Sequence, residues 1–178
     1  PFMGQGMCAG IRDASNLAWK ISLCIKSKHS ENFLDTYQTE RFSNAKEYIE
    51  TTMRMGEFVN AIGSDKITDN ISSRPDGTRK MQSIKPKLGF GLGNNKDKNR
   101  GKVFPQLKMK NGKTLDEKFS ISPILLLSSE FKKQKTKSKI PIVNEKEVVG
   151  LSNILKNYDA KAVIVRPDRF VLKTYKSI

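Results

Sequence analysis

The stretch PFMGQGMCAGIRDASNLAWK (1–20) places three glycines and no charged side chain in its first ten residues, then turns into an amphipathic helix. Met7, Ile11, Ala14, Leu17, Ala18, Ile21 and Ile25 recur at spacings of three and four, so the periodicity predicts a helix over 7–27 with one apolar stripe. Arg12, Asp13, Asn16 and Lys20 fall largely outside that stripe. The turn KSKHS (26–30) ends the helix, and Ser30 has the chemistry of an N-cap with Glu31 behind it. Residues 31–62 contain no proline and only Gly56, so they form one long helix or two in series. Phe33, Leu34, Tyr37, Phe42, Ala45, Ile49, Met53, Phe58 and Ile62 are its expected buried side. Two such helices must pack on something larger to hide both apolar faces.

A glycine turn feeding a helix has a chemical reading and a plain one. Gly4 and Gly6 let backbone approach a ligand without a Cβ in the way. The first N–H groups of the helix, around Gly6, Met7 and Cys8, lack intrahelical acceptors and carry about half a positive charge. A flat heteroaromatic ring with an anionic N–C=O edge suits that array, with the apolar PFM beside it. The plain reading is a turn that caps a core helix, and the residues alone leave both open. Gly4-x-Gly6-x-x-Ala9 fits the dinucleotide-binding pattern, but a second helix follows where that motif needs a strand ending in an acid, so the ordinary Rossmann fingerprint is rejected.

Composition narrows the alternatives. A chain of 178 residues with 37 % apolar content allows one good-sized domain or two small ones. No run of eighteen apolar residues is present, so no membrane span is expected. Cys8 and Cys24 lie sixteen apart on one expected helix and cannot meet. One His and two Cys make a poor zinc set, no metal site is expected, and the setting is reducing and cytoplasmic. The net charge of +15 suggests nucleic acid at first. Residues 1–62, however, hold seven basic and seven acidic side chains, and the excess is scattered lysine with one cluster, KKQKTKSK (132–139). Lysine without interleaved aromatics reads bases poorly, so a solvated surface is the expectation. A lysine-rich module holding RNA or an acidic partner is the non-enzymatic alternative.

Residues 63–100, with Pro75, Pro86 and many Gly, Asn, Ser and Lys, read as linker. Residues 101–178 read as a small mixed domain. Its parts are a strand starting at Ile124, a helix within 145–158, and a strand, a turn at Arg166-Pro167-Asp168 and a second strand within 160–175.

The opening stretch resembles the FAD-binding site of the group A aromatic hydroxylases, single-component flavoprotein monooxygenases of the 3-(3-hydroxyphenyl)propionate hydroxylase type. The likeness continues in patches through FLDTYQTERFSNAKEYI (33–49), KLGFGLG (87–93), GKVFPQ (101–106) and VIVRPDRFV (163–171). It implies an α+β chain: the C-terminal helical pair of a PHBH-like FAD-binding fold (1–62), an irregular linker (63–100) and a thioredoxin-like domain (101–178) without Cys-x-x-Cys. It also implies that this is the C-terminal portion of a longer enzyme, inactive alone and poorly soluble because the helices expose an apolar face. Pro1, Gly4, Gln5, Gly6, Met7 and Cys8 match the segment lining the isoalloxazine, with the amides near Met7 and Cys8 facing its N1–C2=O edge. The activity implied is hydroxylation of a phenolic aromatic acid with NADH or NADPH and O2 through a C4a-hydroperoxyflavin. No membrane or nucleic-acid partner is implied, and a homodimer is compatible. No residue is assigned a catalytic role. Arg12 and Asp13 are expected in structural pairs, Trp19 and Tyr37 in the core, and His29 at the surface. Arg166, Pro167 and Asp168 are expected to serve turn and packing, with Asp168 accepting backbone hydrogen bonds.

Overall fold

The computed structural model describes residues 5–27, 32–61, 71–73, 79–81, 85–119, 121–131 and 140–176. Two long helices come first, α1 (Gln5–Ser27) and α2 (Asn32–Ala61). Strands β1 (Ile71–Ser73) and β2 (Arg79–Met81) pair antiparallel, so the expected linker contains a small paired element. The rest comprises α3 (Leu115–Phe119), β3 (Ile124–Leu127), β4 (Ile142–Asn144), α4 (Leu151–Asn157), β5 (Ala162–Val165) and β6 (Val171–Tyr175). Ser30, His29, Ile62 and the 132–139 lysine cluster lie outside the described residues.

The larger sheet has the order β4-β3-β5-β6, with β3 and β4 parallel and the other neighbours antiparallel. Its apolar runs are of strand length, and β3 begins one residue after Pro123, as expected. Ile124, Leu126, Val143, Val163, Val165 and Val171 join Leu151 and Leu155 of α4, with Phe104, Met109, Leu115 and Val148, in one core. The expected helix over 145–158 is shorter. Asn144 caps a 3-10 turn over Glu145–Glu147, and Gly150, in the left-handed region at φ 77°, precedes α4. α3 and β4 were not foreseen; they are five and three residues long, too short for periodicity to register.

The helical pair buries its polar face. Met7 and Ile25 of α1 are 70 % and 77 % exposed, and Ile11, Ala14, Ala18 and Ile21 are exposed with them. The face turned inward carries Asn16, Trp19 and Lys20. On α2, Phe42, Ile49 and Met53 are exposed, whereas Glu40, Arg41, Asn44, Tyr48 and Thr51 are buried. The stripes found by periodicity thus form the exposed apolar face expected of the helices without a larger partner, although Phe33, Leu34, Tyr37 and Ala45 of α2 are half-buried. Most of the polar groups that face inward pair with one another, although Arg12 Nη1, Asn16 Oδ1, Trp19 Nε1 and Arg41 Nη2 are buried without a hydrogen-bond partner among the described residues. Asp13 accepts from Arg41 at 2.6 Å, and Arg41 also donates to Asn44. Asn44 donates to the carbonyls of Pro86 and Lys87, and the Arg12 guanidinium lies 4.4 Å from the Tyr48 ring centre. Arg12 and Asp13 are thus in structural pairs, as expected, and Trp19 is in the core, edge-on to Phe33 at 5.7 Å. Tyr37 is only half-buried.

Residues 85–101 are irregular, as expected, but they are no free linker. Gly89 donates its N–H to the carbonyl of Glu40 at 2.8 Å, and Arg100 donates to the carbonyls of Gly89 and Leu92. The same segment continues into the sheet unit, where Gly101 N–H meets Val171 O and Val171 N–H meets Lys102 O, both at 2.9 Å. A Cβ on Gly89 would lie 2.2 Å from Ser43 Oγ and 2.3 Å from the Thr39 carbonyl oxygen. No larger residue allows this approach to α2. Gly89→Ala is expected to cost about 1–3 kcal/mol through that clash. Gly56→Ala, with open space around its Cβ position in α2, should stabilise by about 0.5–1 kcal/mol. Urea melts of the two variants and the parent chain read the two opposite shifts.

Candidate functional site

Two places on the helical pair have chemical character. The first is the start of α1. Gly6 and Met7 are exposed there, and Cys8 is half-buried. Pro1 and Gly4 lie outside the described residues, and Gln5 enters only as the first helical residue. The first turn holds no acidic side chain, so no carboxylate competes for its free N–H groups. An electron-rich heteroaromatic edge therefore meets a donor set made of backbone alone, with an open approach at Gly6 and an apolar side chain at Met7. Those residues fit the edge of a flavin by the chemistry of the donors.

The second place is a buried cluster of charge centred on Glu40, which is wholly buried. Its Oε1 accepts from Arg166 Nη1 at 2.7 Å and from the backbone N–H of Leu92 at 2.8 Å. Its Oε2 accepts from Arg166 Nη2 at 2.8 Å, Lys20 Nζ at 2.9 Å and Asn16 Nδ2 at 3.2 Å. Arg100 Nη2 stands 3.5 Å from Oε1. Arg166 extends the network, donating through Nε and Nη2 to Asp168 at 2.9 and 2.7 Å, and Asn16 reaches the same carboxylate at 2.8 Å. The Arg166 guanidinium also lies 5.0 Å from the Trp19 ring centre. Three cations and two carboxylates thus share one buried volume, contributed by α1, α2, the 85–101 segment and the β5–β6 turn.

The electrostatics follow from that geometry. Burial pushes the Glu40 carboxyl up, but the hydrogen bonds and charge of Arg166, then Lys20, outweigh it and hold the pKa at about 2. Burial lowers the Lys20 ammonium despite Glu40. Burial also works against the Arg166 charge, yet Asp168 and Glu40 raise its pKa above the ordinary value. Asp168 therefore serves a side-chain network rather than the backbone amides expected of it. Arg166 and Pro167 do form the expected turn, closed by Arg166 N–H to Phe170 O at 2.9 Å and Arg169 N–H to Arg166 O at 3.0 Å.

The structure brings none of the described α1 N-terminal candidates into this cluster; the helix joins them through Asn16 and Lys20, about two to four turns on. Glu40, Lys20 and Asn16 were not singled out beforehand. The available signal was a polar stripe at helical spacing, 12-16-20 on α1 and 40-44-48 on α2, opposite each apolar stripe. No group of three or more metal-ligating side chains occurs among the described residues.

Comparison with known proteins places this geometry in context. A family model described as an FAD binding domain matches residues 1–52. A probable NADH-specific resorcinol 4-hydroxylase of Rhodococcus jostii (strain RHA1) is 34 % identical over 110 residues, 60 % of this chain and 20 % of its own length. A 3-(3-hydroxy-phenyl)propionate/3-hydroxycinnamic acid hydroxylase of Escherichia coli (strain K12 / DH10B) is 47 % identical over 55 residues, 31 % of this chain and 10 % of its own. The chain thus spans a fifth or less of these curated relatives. Aklavinone-11 hydroxylase, solved with FAD and aklavinone, superposes with a TM-score of 0.60 at 17 % identity, covering 99 % of this chain and 38 % of that one. OxyS anhydrotetracycline hydroxylase from Streptomyces rimosus gives 0.56 at 18 % identity, covering 94 % and 37 %. The mixed helix-and-sheet fold with its four-stranded sheet is the one found in such hydroxylases. The chain is similar to FAD-dependent aromatic hydroxylases, and the comparisons favour that likeness over a lysine-rich binding module.

The Glu40 cluster sets a pH dependence. The folded carboxyl titrates at about 2, below its ordinary 4.5, so the unfolded chain takes up the proton first. Its stabilisation is fully present above pH 4.5 and is lost as pH falls through 2. Glu40→Gln removes the charge at every pH, leaving Lys20 buried without its paired carboxylate and Arg166 with Asp168 alone, at a cost of about 3–5 kcal/mol. Urea unfolding between pH 7 and 3 should show the parent chain losing stability below 4.5 and the variant uniformly weaker, with a flatter acid limb.

Proposed function

We propose that this chain is part of an FAD-dependent monooxygenase that hydroxylates a phenolic aromatic acid with NADH or NADPH and O2. The single observation that carries the reading is the acid-free, open N-terminus of α1 at Gly6–Cys8, inside the segment matched by the FAD-binding family model. The hydroxylases of resorcinol and of 3-hydroxyphenylpropionate to which the chain is similar support the aromatic substrate, and the former's NADH specificity supports a nicotinamide reductant. Bound FAD supplies the redox chemistry, accepting reducing equivalents and activating O2.

The role of this chain's residues is electrostatic. The backbone N–H groups of Gly6, Met7 and Cys8 donate to the electron-rich edge of the ring and stabilise negative charge as it develops there. Pro1, Gly4 and Gln5 complete the segment that runs beside the ring, and the lack of a first-turn carboxylate keeps opposing charge away. Glu40, Arg166 and Lys20 hold α1 at a fixed place relative to the sheet unit, so the donors are preorganised. Residues 101–178 form a thioredoxin-like unit in this reading. With both cysteines before residue 25, it has no thiol pair and acts as scaffold.

The test uses the intact protein that carries this chain. It should purify yellow, or turn yellow on incubation with FAD, and should oxidise NADH or NADPH faster with a phenolic acid present. A preparation that stays colourless with excess FAD contradicts the reading. Met7→Pro deletes one N–H in the first helical turn, where proline is tolerated. FAD affinity should fall about tenfold, one good hydrogen bond, with thermal unfolding of the apoprotein unchanged.

A further inference from the structure

The buried cluster around Glu40 does not balance its own charge. Lys20, Arg100 and Arg166 face Glu40 and Asp168, three cations against two carboxylates among the described residues. Each of the five is at most 8 % exposed. A segment beyond this chain therefore cannot pair with them without first opening the cluster. The cation with no carboxylate of its own is held by dipoles. Arg100 donates to the carbonyls of Gly89 and Leu92 at 2.8 and 2.7 Å and stands 3.5 Å from Glu40. One positive charge is left over in a buried site, where salt screens it least. A balanced cluster would link the same elements at a lower desolvation cost, so the imbalance is not needed for anchoring.

That charge acts along α1. Asn16 and Lys20 belong to the helix and to the cluster, and they stand about 12 and 18 Å along the axis from Cys8. The side chains of α1 between Cys8 and Lys20 add no net negative charge. Asp13 is paired with Arg41, and Arg12 is a further cation, set over the Tyr48 ring. The positive end of the helix has the same sign. On the flavin reading above, on which this inference rests, the ring edge meets Gly6–Cys8. Reduction by a nicotinamide adds a hydride, two electrons and one proton, so the reduced ring carries one more negative charge than the oxidised ring. A positive charge near the donors therefore favours the reduced form. One unit charge about 15–20 Å away, at an effective dielectric of about 20, favours it about fivefold.

We propose that the unbalanced positive charge of the Glu40 cluster tunes bound flavin toward its reduced form, with Lys20 as a positioning residue that acts through α1 and never touches the ring. The test is an anaerobic redox titration of the intact protein that carries this chain, loaded with FAD, against a dye of known potential. It reads the preference for reduced over oxidised flavin. Lys20→Met balances the cluster and should lower that preference about fivefold. Lys20→Arg keeps the charge and should restore the parent value. Asp168→Asn adds a second unbalanced positive charge and should raise the preference by a similar factor. A merely structural role would weaken both redox forms alike, or move the two charge variants in one direction. Far-ultraviolet dichroism checks that each variant is folded, and if Asp168→Asn is not, the two Lys20 variants decide the matter. A preference unchanged in Lys20→Met, equally lowered in Lys20→Arg, or shifted the same way by Lys20→Met and Asp168→Asn overturns the proposal and leaves the flavin reading standing. A parent protein that takes up no FAD overturns both.

Discussion

The ion pair between Glu40 and Arg166 is the contact on which the rest of the structure depends. The sheet unit has an apolar core of its own, built from residues between Phe104 and Val171. The helical pair has little of that kind. Among its described residues only Trp19 and Tyr48 are buried apolar side chains, and the remaining inward positions are polar or charged. Such groups stay buried only when paired. Glu40 receives five hydrogen bonds within 3.2 Å, from α1, the 85–101 segment and the β5–β6 turn. Each element that leaves would strand a buried charge. The cluster thus links pieces 126 residues apart in sequence more firmly than the apolar contacts of the helices do.

That arrangement explains why the amphipathic helices present their apolar faces outward. A charge network fixes geometry through donor and acceptor directions, which apolar packing does less strictly. With the inner faces committed to the network, the outer faces remain for other contacts, and the first turn of α1 remains free at its end. A helix held through Asn16 and Lys20 offers its N-terminal N–H groups at a fixed place. Preorganisation of that kind is what stabilising charge on a ring edge requires.

Much of this was legible in the sequence, and the failures are instructive. The two helices, the start of β3 after Pro123 and the turn at Arg166–Asp168 follow from periodicity and proline chemistry. The separation between neutral helices and a lysine-rich remainder follows from the distribution of charge along the chain. The exposed apolar face of the helices was expected, but burial of their polar face was not, because periodicity reports a stripe and not its neighbour. Lys20 and Glu40 look like surface residues until a third partner, Arg166, is brought from the far end of the chain. The glycine-rich 85–101 segment looked like a linker for the same reason. Gly89 and Gly91 are there because α2 lies against them, with a Cβ on Gly91 falling 2.3 Å from Glu40 Cγ. Non-local pairing of charge leaves at most a polar stripe in the local sequence, which does not name the partner.

The central claim, that the helical pair and the sheet unit are one cooperative body because they share buried charge, can be put to one measurement. The chain has a single tryptophan, Trp19, which lies in the helical pair against Arg166. Its fluorescence can be followed through a urea titration beside the amide resonances of Val163 and Val165 in β5. The account predicts coincident midpoints for the two probes, the mark of a single transition. Release of Trp19 at a urea concentration where the β5 amides remain native would contradict it.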